Sequence, residues 1–472
     1  MPAIRPNTYH LISLGCAKNT VDSSSMAQLL NQEGFAAIDE PNRAEVLLVN
    51  TCGFIEPARQ ESLRTLRELA KRKRKGQWLI AAGCLTQRYG EEVARQVPGL
   101  DGILGTRRWM DIVQLLRQLR SPDRHPASPP RQGIAALYAP TPTAQAEPPG
   151  ILRAAVQGAS AYLKIADGCR RPCAFCAIPL IKGSAVSRPL PLLVEEARRL
   201  ARQGIKELVL IAQDTTDYGS DLGMKDGLAQ LLEALTEQVP EIPWIRLLYA
   251  YPGAVSDRLI EIMASKAQVL PYLDLPLQHA HPAILRAMRR PANIDWVIRT
   301  LETMRRRIPG LTLRTTFIVG YPGEGEAEFE TLLDFVREMR FDHVGVFPFS
   351  FEQGTASEVL GDPVPPEVKQ ERWERLMATQ QQISLQIHQA LIGKRLEVLI
   401  EGQGTVQGQN GRPVDQLISV GRTYRDAPEI DGLTLIEGEA PIGEIVPVRI
   451  LGAMPYDLHG VLENPEPRMN HV

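Results

Sequence analysis

Residues 162–176 read Tyr162-Leu163-Lys164-Ile165-Ala166-Asp167-Gly168-Cys169-Arg170-Arg171-Pro172-Cys173-Ala174-Phe175-Cys176. The stretch opens as a strand over 162–166, and three cysteines follow in the loop beyond it, spaced C-x3-C-x2-C. Thiolates at this spacing wrap one corner of an iron–sulfur cubane and hold three of its four irons, which leaves the fourth iron open to a substrate or cofactor. An odd number of cysteines does not suit disulfides. Zinc and unligated thiols are the competing readings. A structural zinc asks for four donors, however, and no histidine or fourth cysteine stands close by in sequence. Cys169, Cys173 and Cys176 therefore read as an open-iron cluster loop.

Downstream of this loop the chain alternates strands and helices. Strands are predicted at 208–212, 245–249, 272–275, 312–319 and 344–349, with helical patterns between them such as 193–203 and 227–238. With the first strand these make six βα units, which predicts a barrel or partial barrel with its chemistry at the C-terminal strand ends. A long helix over 366–391 closes the region. The last eighty residues are rich in Gly, Val, Ile and Glu, with short strands at 395–400, 417–420 and 444–451, which predicts a small appended β-barrel.

Upstream, residues 7–120 show the same rhythm. Apolar stretches at 9–14, 46–49 and 78–82 run into Cys16, Cys52 and Cys84, and helical patterns follow at 21–33, 57–74 and 86–96. This predicts a parallel sheet with helices on its faces, and each cysteine sits just past a strand end, where open α/β sheets gather ligands. Gly15, Gly53 and Gly83 beside them permit close backbone approach to a second cluster. The bland reading is three buried cysteines acting as small hydrophobes. Between the two regions, 121–154 is Pro- and Ala-rich and reads as a linker, with a short strand at 134–138.

Bulk properties narrow the class. The 472 residues exceed one core, so two to four domains are expected. Lys plus Arg number 53 against 55 Asp plus Glu, a net charge of -2, so the whole chain carries no electrostatic mark of a nucleic-acid binder. No secretory leader and no run long enough to span a membrane is visible. The expectation is a cytoplasmic protein with no membrane partner, in whose compartment the cysteines stay reduced.

The segment 166–176 resembles the radical S-adenosylmethionine motif, and with the N-terminal cysteines and the C-terminal β-domain nearly the whole chain resembles a methylthiotransferase. That resemblance implies an α/β fold: an N-terminal parallel-sheet cluster domain over 7–120, the 121–154 linker, a radical S-adenosylmethionine partial (βα)6 barrel over 155–390, and a small TRAM β-barrel over 391–462. It implies two [4Fe-4S] clusters, held by Cys16, Cys52, Cys84 and by Cys169, Cys173, Cys176. S-adenosylmethionine would serve twice, as source of a 5′-deoxyadenosyl radical and as methyl donor. The cofactor would lie against Phe175, Gln213, Asp214, Gly320, Gly323 and Glu324, although Gln213 and Asp214 read equally well as capping residues and Gly320-Tyr321-Pro322-Gly323-Glu324 as a plain turn.

Two branches of the family differ in substrate: one modifies an adenosine of transfer RNA, the other the β-carbon of an aspartate in small-subunit ribosomal protein S-twelve. Leu14-Gly15-Cys16-Ala17-Lys18-Asn19, Asn50-Thr51-Cys52-Gly53-Phe54-Ile55, Ala212-Gln213-Asp214-Thr215-Thr216, Pro276-Leu277-Gln278-His279 and Asp426-Ala427-Pro428-Glu429-Ile430-Asp431-Gly432 are similar to the protein-modifying branch. Ser184-Ala185-Val186 departs from the family, which more often has basic or aromatic residues there. The implied partners are S-twelve, free or on the small subunit, an electron donor such as flavodoxin or ferredoxin, and a sulfur source. A non-catalytic redox or sulfur-carrier protein is the alternative from another class.

Charge supports the branch independently. Residues 393–472 hold seven Lys plus Arg against twelve Asp plus Glu, an excess of five negative charges, and their only aromatics are Tyr424 and Tyr456. An RNA-gripping module would show a basic face and stacking rings, whereas an acidic one suits a basic protein or simply aids solubility. The run Lys71-Arg72-Lys73-Arg74-Lys75 reads first as a favourable helix C-terminus, and second as a contact for ribosomal RNA. His279 and His281 read as structural or orienting residues.

Overall fold

The computed structural model describes residues 3–121, 135–137, 147, 150–407 and 413–463. Most of the linker predicted over 121–154 lies outside them. The N-terminal sheet has six parallel strands: β1 (Arg5–Ser13), β2 (Ala36–Ala37), β3 (Ala44–Thr51), β4 (Trp78–Gly83), β5 (Gly102–Gly105) and β6 (Ala135–Leu137), in the order β2-β1-β3-β4-β5-β6. Every residue of β3 except Glu45 is buried, as expected for a parallel strand covered on both faces. The short strand expected within the linker is β6, which rejoins this sheet beside β5.

The helix after β1, α1 (Ala17–Gln32), starts four residues before the predicted position. Its inward face carries Asn19, Asp22, Ser23 and Ser25, all buried, so its first turns have no apolar stripe to reveal them. Helices α2 (Glu56–Arg72) and α3 (Cys84–Gln96) follow β3 and β4.

The central sheet contains β7 (Ala154–Gln157), β8 (Ser160–Lys164), β11 (Glu207–Ile211), β12 (Trp244–Leu247), β13 (Val269–Asp274), β14 (Thr312–Val319) and β15 (His343–Pro348), in the order β15-β14-β13-β12-β11-β8-β7. Six strands are parallel, and the antiparallel edge strand β7 was not anticipated. Between β8 and β11, β9 (Ala166–Asp167) and β10 (Val186–Ser187) pair as a small antiparallel ribbon at the base of the cysteine loop. Along β14, Leu313, Thr315, Phe317 and Val319 are buried while Arg314, Thr316 and Ile318 are half-buried, the period-2 alternation of a strand with two different faces.

The C-terminal domain is a closed barrel of β16 (Arg395–Gln407), β17 (Pro413–Thr423), β18 (Thr434–Glu437), β19 (Ile445–Ala453) and β20 (Leu458–Leu462). β16 and β17 run longer than predicted because irregularities between Ile400 and Gly402 and between Thr405 and Gln407 let the hairpin bend round the barrel. The long helix Pro366–Gln389 leads into it.

This small barrel covers the N-terminal ends of the central strands. Its loop 424–432 reaches beneath them: Tyr424 Oη donates to the Gly310 carbonyl at 3.1 Å, and Tyr162 Oη to the Pro428 carbonyl at 3.2 Å. Buried Glu207 accepts from Arg422 and Arg246 at 2.6 Å each, so an ion network ties the two domains. Asp431 accepts from Tyr272 Oη at 2.6 Å and Arg314 Nε at 3.3 Å, and Arg314 Nη1 continues to Asp274 at 3.0 Å. Asp274 in turn accepts the Tyr249 N–H at 3.1 Å, at the far end of the barrel.

Candidate active site

Sheet register sets the N-terminal cysteines. Ser13 lies level with Asn50, and Thr51 with Gly83, so Cys52 and Cys84 each lie one residue beyond a matched pair. Asn19 joins all three cysteine loops: its Nδ2 donates to the Leu14 carbonyl at 2.7 Å and the Thr51 carbonyl at 3.1 Å, while its Oδ1 accepts from Cys84 Sγ at 3.8 Å. The Ser62 hydroxyl accepts the Cys52 N–H and donates to its carbonyl, both at 3.0 Å.

Gly83, at φ +104°, has no room for a side chain: an added Cβ would stand 2.4 Å from both Asn50 Oδ1 and the Thr51 carbonyl oxygen. Gly83→Ala is expected to displace Cys84 and lower iron from about eight to about four per chain after reconstitution, checked by iron and acid-labile sulfide assays.

The core triad sits in a loop pinned on three sides. Cys169 N–H donates to the Gly183 carbonyl at 3.0 Å, Ala174 N–H to Met288 at 2.9 Å, and Ser357 N–H to Ala174 at 2.8 Å. The Arg171 N–H points at Cys169 Sγ at 3.4 Å, and Arg290 Nη1 at Cys173 Sγ at 3.6 Å. Phe175 packs against the cluster of Ile284, Met288, Tyr321 and Phe349.

Burial pushes the thiols up, Cys169 to about 11 and Cys176 and Cys84 to about 12, and it raises Cys52 as well. Buried thiols of this kind become thiolates when a metal group supplies the compensating positive charge. Among the described residues no three His, Cys, Asp or Glu side chains close on a single-ion site. Three thiols in one loop, Cys169, Cys173 and Cys176, are the donor chemistry that a cubane takes at three of its irons.

Gln213 ends β11. Its Nε2 donates to Asp167 at 2.9 Å, while its Oε1 is buried with no hydrogen-bond partner among the described residues. An orphaned buried acceptor at a strand end suits a bound polar ligand, such as the S-adenosylmethionine that the open iron would take. Two further strand-end residues adopt the left-handed region, Tyr249 at φ +63° and Gln278 at φ +78°; such outliers are rare for bulky side chains and cluster at functional sites.

The carboxylates expected to touch the cofactor are engaged elsewhere. Asp214 pairs with Arg171 at 2.6 Å and caps the Thr215–Asp217 turn, its Oδ1 accepting the Thr216 N–H at 3.0 Å. Glu324 is buried and accepts from Arg372 and the Gly320 N–H at 2.8 Å and from His279 Nε2 at 3.1 Å. His279 Nδ1 accepts the His281 N–H at 2.9 Å. Gly320, at φ +71°, leaves room for Lys369, since an added Cβ would meet Lys369 Cγ at 2.4 Å. Gly323, at φ +92°, has more space, with Ile284 Cδ1 4.0 Å from an added Cβ.

A cavity of about 800 Å³ opens between the N-terminal domain and the central barrel. Phe54 and Ile55, just past Cys52, form one wall, and Phe175, Thr316, Ile318 and Phe347 form the other. Its volume is that of a cofactor or substrate chamber. Across its rim Arg88 of α3 pairs with Glu352 at 2.6 Å. Away from the cavity, Asp22 of α1 accepts from Lys164 at 2.6 Å, Arg153 at 2.7 Å and Lys182 at 3.0 Å, all buried. Sequence reasoning assigned no role to Lys18, Asn19, Asp22, Tyr249 and Arg290, whose contacts lie on other elements far away in sequence.

An open-sided parallel barrel with a three-thiol loop at its strand ends defines a radical S-adenosylmethionine enzyme, and residues 163–336 match the family described as "Radical SAM superfamily". Residues 8–105 match "Uncharacterized protein family UPF0004" and 392–462 the "TRAM domain". The chain is 47% identical to the "Ribosomal protein uS12 methylthiotransferase RimO" of Chloroflexus aurantiacus, over 96% of this chain and 99% of that one. It is 46% identical to the protein of the same name from Roseiflexus sp. strain RS-1, over 96% of each. The chain belongs to the RimO family of uS12 methylthiotransferases. Among solved structures, the radical S-adenosylmethionine methyltransferase TsrM of Kitasatospora setae shares the fold, with a TM-score of 0.56 and 13% identity over 80% of this chain and 89% of that one. No helix among the described residues is long and apolar enough to cross a membrane.

Proposed function

We propose that this enzyme attaches a methylthio group to the β-carbon of an aspartate in ribosomal protein uS12. The observation that supports this reading is a chamber walled by Phe54 and Ile55, just past Cys52, and by Phe175 of the core cysteine loop. Cys169, Cys173 and Cys176 would hold one [4Fe-4S] cluster, and Cys16, Cys52 and Cys84 a second. When bound, the core cluster and S-adenosylmethionine supply the one-electron cleavage that removes a hydrogen atom from an unactivated carbon, and the second cluster supplies sulfur.

The residues of this chain hold, orient and enclose. Gln213 Oε1 and Phe175 flank the cofactor, while Asp214 and Glu324 keep the surrounding loops rigid through Arg171, Arg372 and Gly320. The apolar walls of the chamber keep water from the reacting carbon. Asn19 keeps the three cysteine loops at one spacing. Electrons would come from a flavodoxin- or ferredoxin-type donor, and a separate source would replace the sulfur that the second cluster delivers.

The acidic C-terminal barrel favours a basic protein over transfer RNA as partner. Mass spectrometry of uS12 and of transfer RNA from cells lacking the enzyme tests the assignment. Loss of the methylthio mass from uS12 alone is expected; loss from transfer RNA alone would reverse it.

A further inference from the structure

Lys18 lies two residues past Cys16, at the start of α1, and reaches across to the central barrel. Its ammonium stands 3.0 Å from the centroid of the Tyr249 ring, at the end of β12. It is half-buried and makes no ion pair with any described residue. Nearby cations are already committed: Arg314 to Asp274 and Asp431, Arg171 to Asp214, and Lys164 and Lys182 to Asp22 and Asp167. Asp274, the carboxylate closest to serving Lys18, already receives Arg314 and the Tyr249 N–H.

A half-buried ammonium resting on an aromatic face, with no carboxylate of the described residues in ion-pair contact, is a receptor for a carboxylate. Tyr249 holds the left-handed conformation noted above, so the ring beneath the ammonium is kept in place at a backbone cost, as binding clamps often are. Lys18 also stands at the seam where the strand ends of the two sheets meet, between Cys16 and the barrel. Resting on the function proposed above, we infer that Lys18 receives the side-chain carboxylate of the uS12 aspartate and thereby fixes its β-carbon for reaction. Lys18 is then the residue that separates aspartate from asparagine, because the amide lacks the charge that an ammonium selects.

The test is a binding cycle with cluster-reconstituted enzyme under anaerobic conditions, S-adenosylmethionine omitted. The probes are purified uS12 and uS12 with its modified aspartate replaced by asparagine. Wild-type enzyme is expected to bind the aspartate form about tenfold to a hundredfold more tightly, the range of a charge-assisted hydrogen bond. Lys18→Met should lose that preference and bind both forms alike, while Lys18→Arg should restore most of it. Equal iron content of the three proteins verifies that the comparison is between folded, loaded enzymes. A Lys18→Met enzyme that keeps the full preference overturns the inference, as does one that loses affinity for both forms while preserving their ratio. Wild-type enzyme that binds neither form would instead overturn the uS12 assignment itself.

Discussion

Cys173→Ala is expected to abolish formation of 5′-deoxyadenosine from S-adenosylmethionine, whereas Cys52→Ala keeps a measurable part of it and yields no methylthiolated uS12. The difference follows from where the two thiols stand. Cys173 lies in the loop pinned by Gly183, Met288 and Ser357, with Arg290 aimed at its sulfur, and its removal leaves two donors where three irons need three. Cys52 lies in the N-terminal domain, held by Ser62 of α2, so its loss leaves the core loop untouched. Each variant should retain about four irons per chain in place of about eight. Deoxyadenosine measured by chromatography under strong reductant, beside mass spectrometry of uS12, separates the two. Equal loss of cleavage in both variants would mean that the triads do not have separate roles.

Asp22→Asn should cost about 3–5 kcal/mol of stability, the penalty of leaving buried charge without its partner. One carboxylate on α1 accepts from Arg153, Lys164 and Lys182, and the two lysines belong to the barrel, so the variant takes one partner from each of three buried cations at the seam, leaving Glu147 and Asp167 to serve them. Burial alone would raise the pKa of Asp22, but Lys164, Lys182 and Arg153 together outweigh it and hold the group far below the ordinary carboxylate range. Asp167 is held down to about 2, burial again being opposed by Lys164 and Lys182. A depressed folded-state pKa contributes stability above the unfolded value and loses it as pH falls. The wild-type protein should therefore weaken as pH falls from about 4 towards 2, and Asp22→Asn should weaken less steeply there. Urea midpoints at several pH values read both effects. A variant within about 1 kcal/mol of wild type at pH 7 would show that the network does not hold the two domains together.

The parts of this architecture with local signatures were readable in the sequence. Cys169, Cys173 and Cys176 lie within one loop, and Cys16, Cys52 and Cys84 each end an apolar run, so loop spacing and strand pattern locate all six. The predicted helix over 227–238 coincides with Gly227–Gln238, and the strand over 312–319 with β14, because both carry a clean period. Where a helix buries polar groups the pattern fails: Asn19 and Asp22 hid the first turn of α1. The short strands β7, β18 and β20 escaped because four or five residues carry too little pattern. Asp214 and Glu324 read as ligand contacts because their partners, Arg171 and Arg372, are chosen by the fold; for Glu324 that partner lies 48 residues away. Lys18 stood in a stretch similar to the protein-modifying branch, but no role could be read for it, since its contact is a ring on another domain.

The segment from Tyr424 to Gly432 makes the C-terminal barrel the floor of the reaction vessel rather than an attached handle. Asp431 meets Arg314 and Tyr272, Arg314 meets Asp274, and Asp274 meets the backbone of the residue beneath Lys18. A chimera that imports this module from another enzyme to redirect targeting would therefore also change what stands under the chemistry. Grafts that keep 424–432 and exchange only outward-facing strands would leave that foundation in place, so new specificity is better sought there than by cutting at the helix that joins the parts.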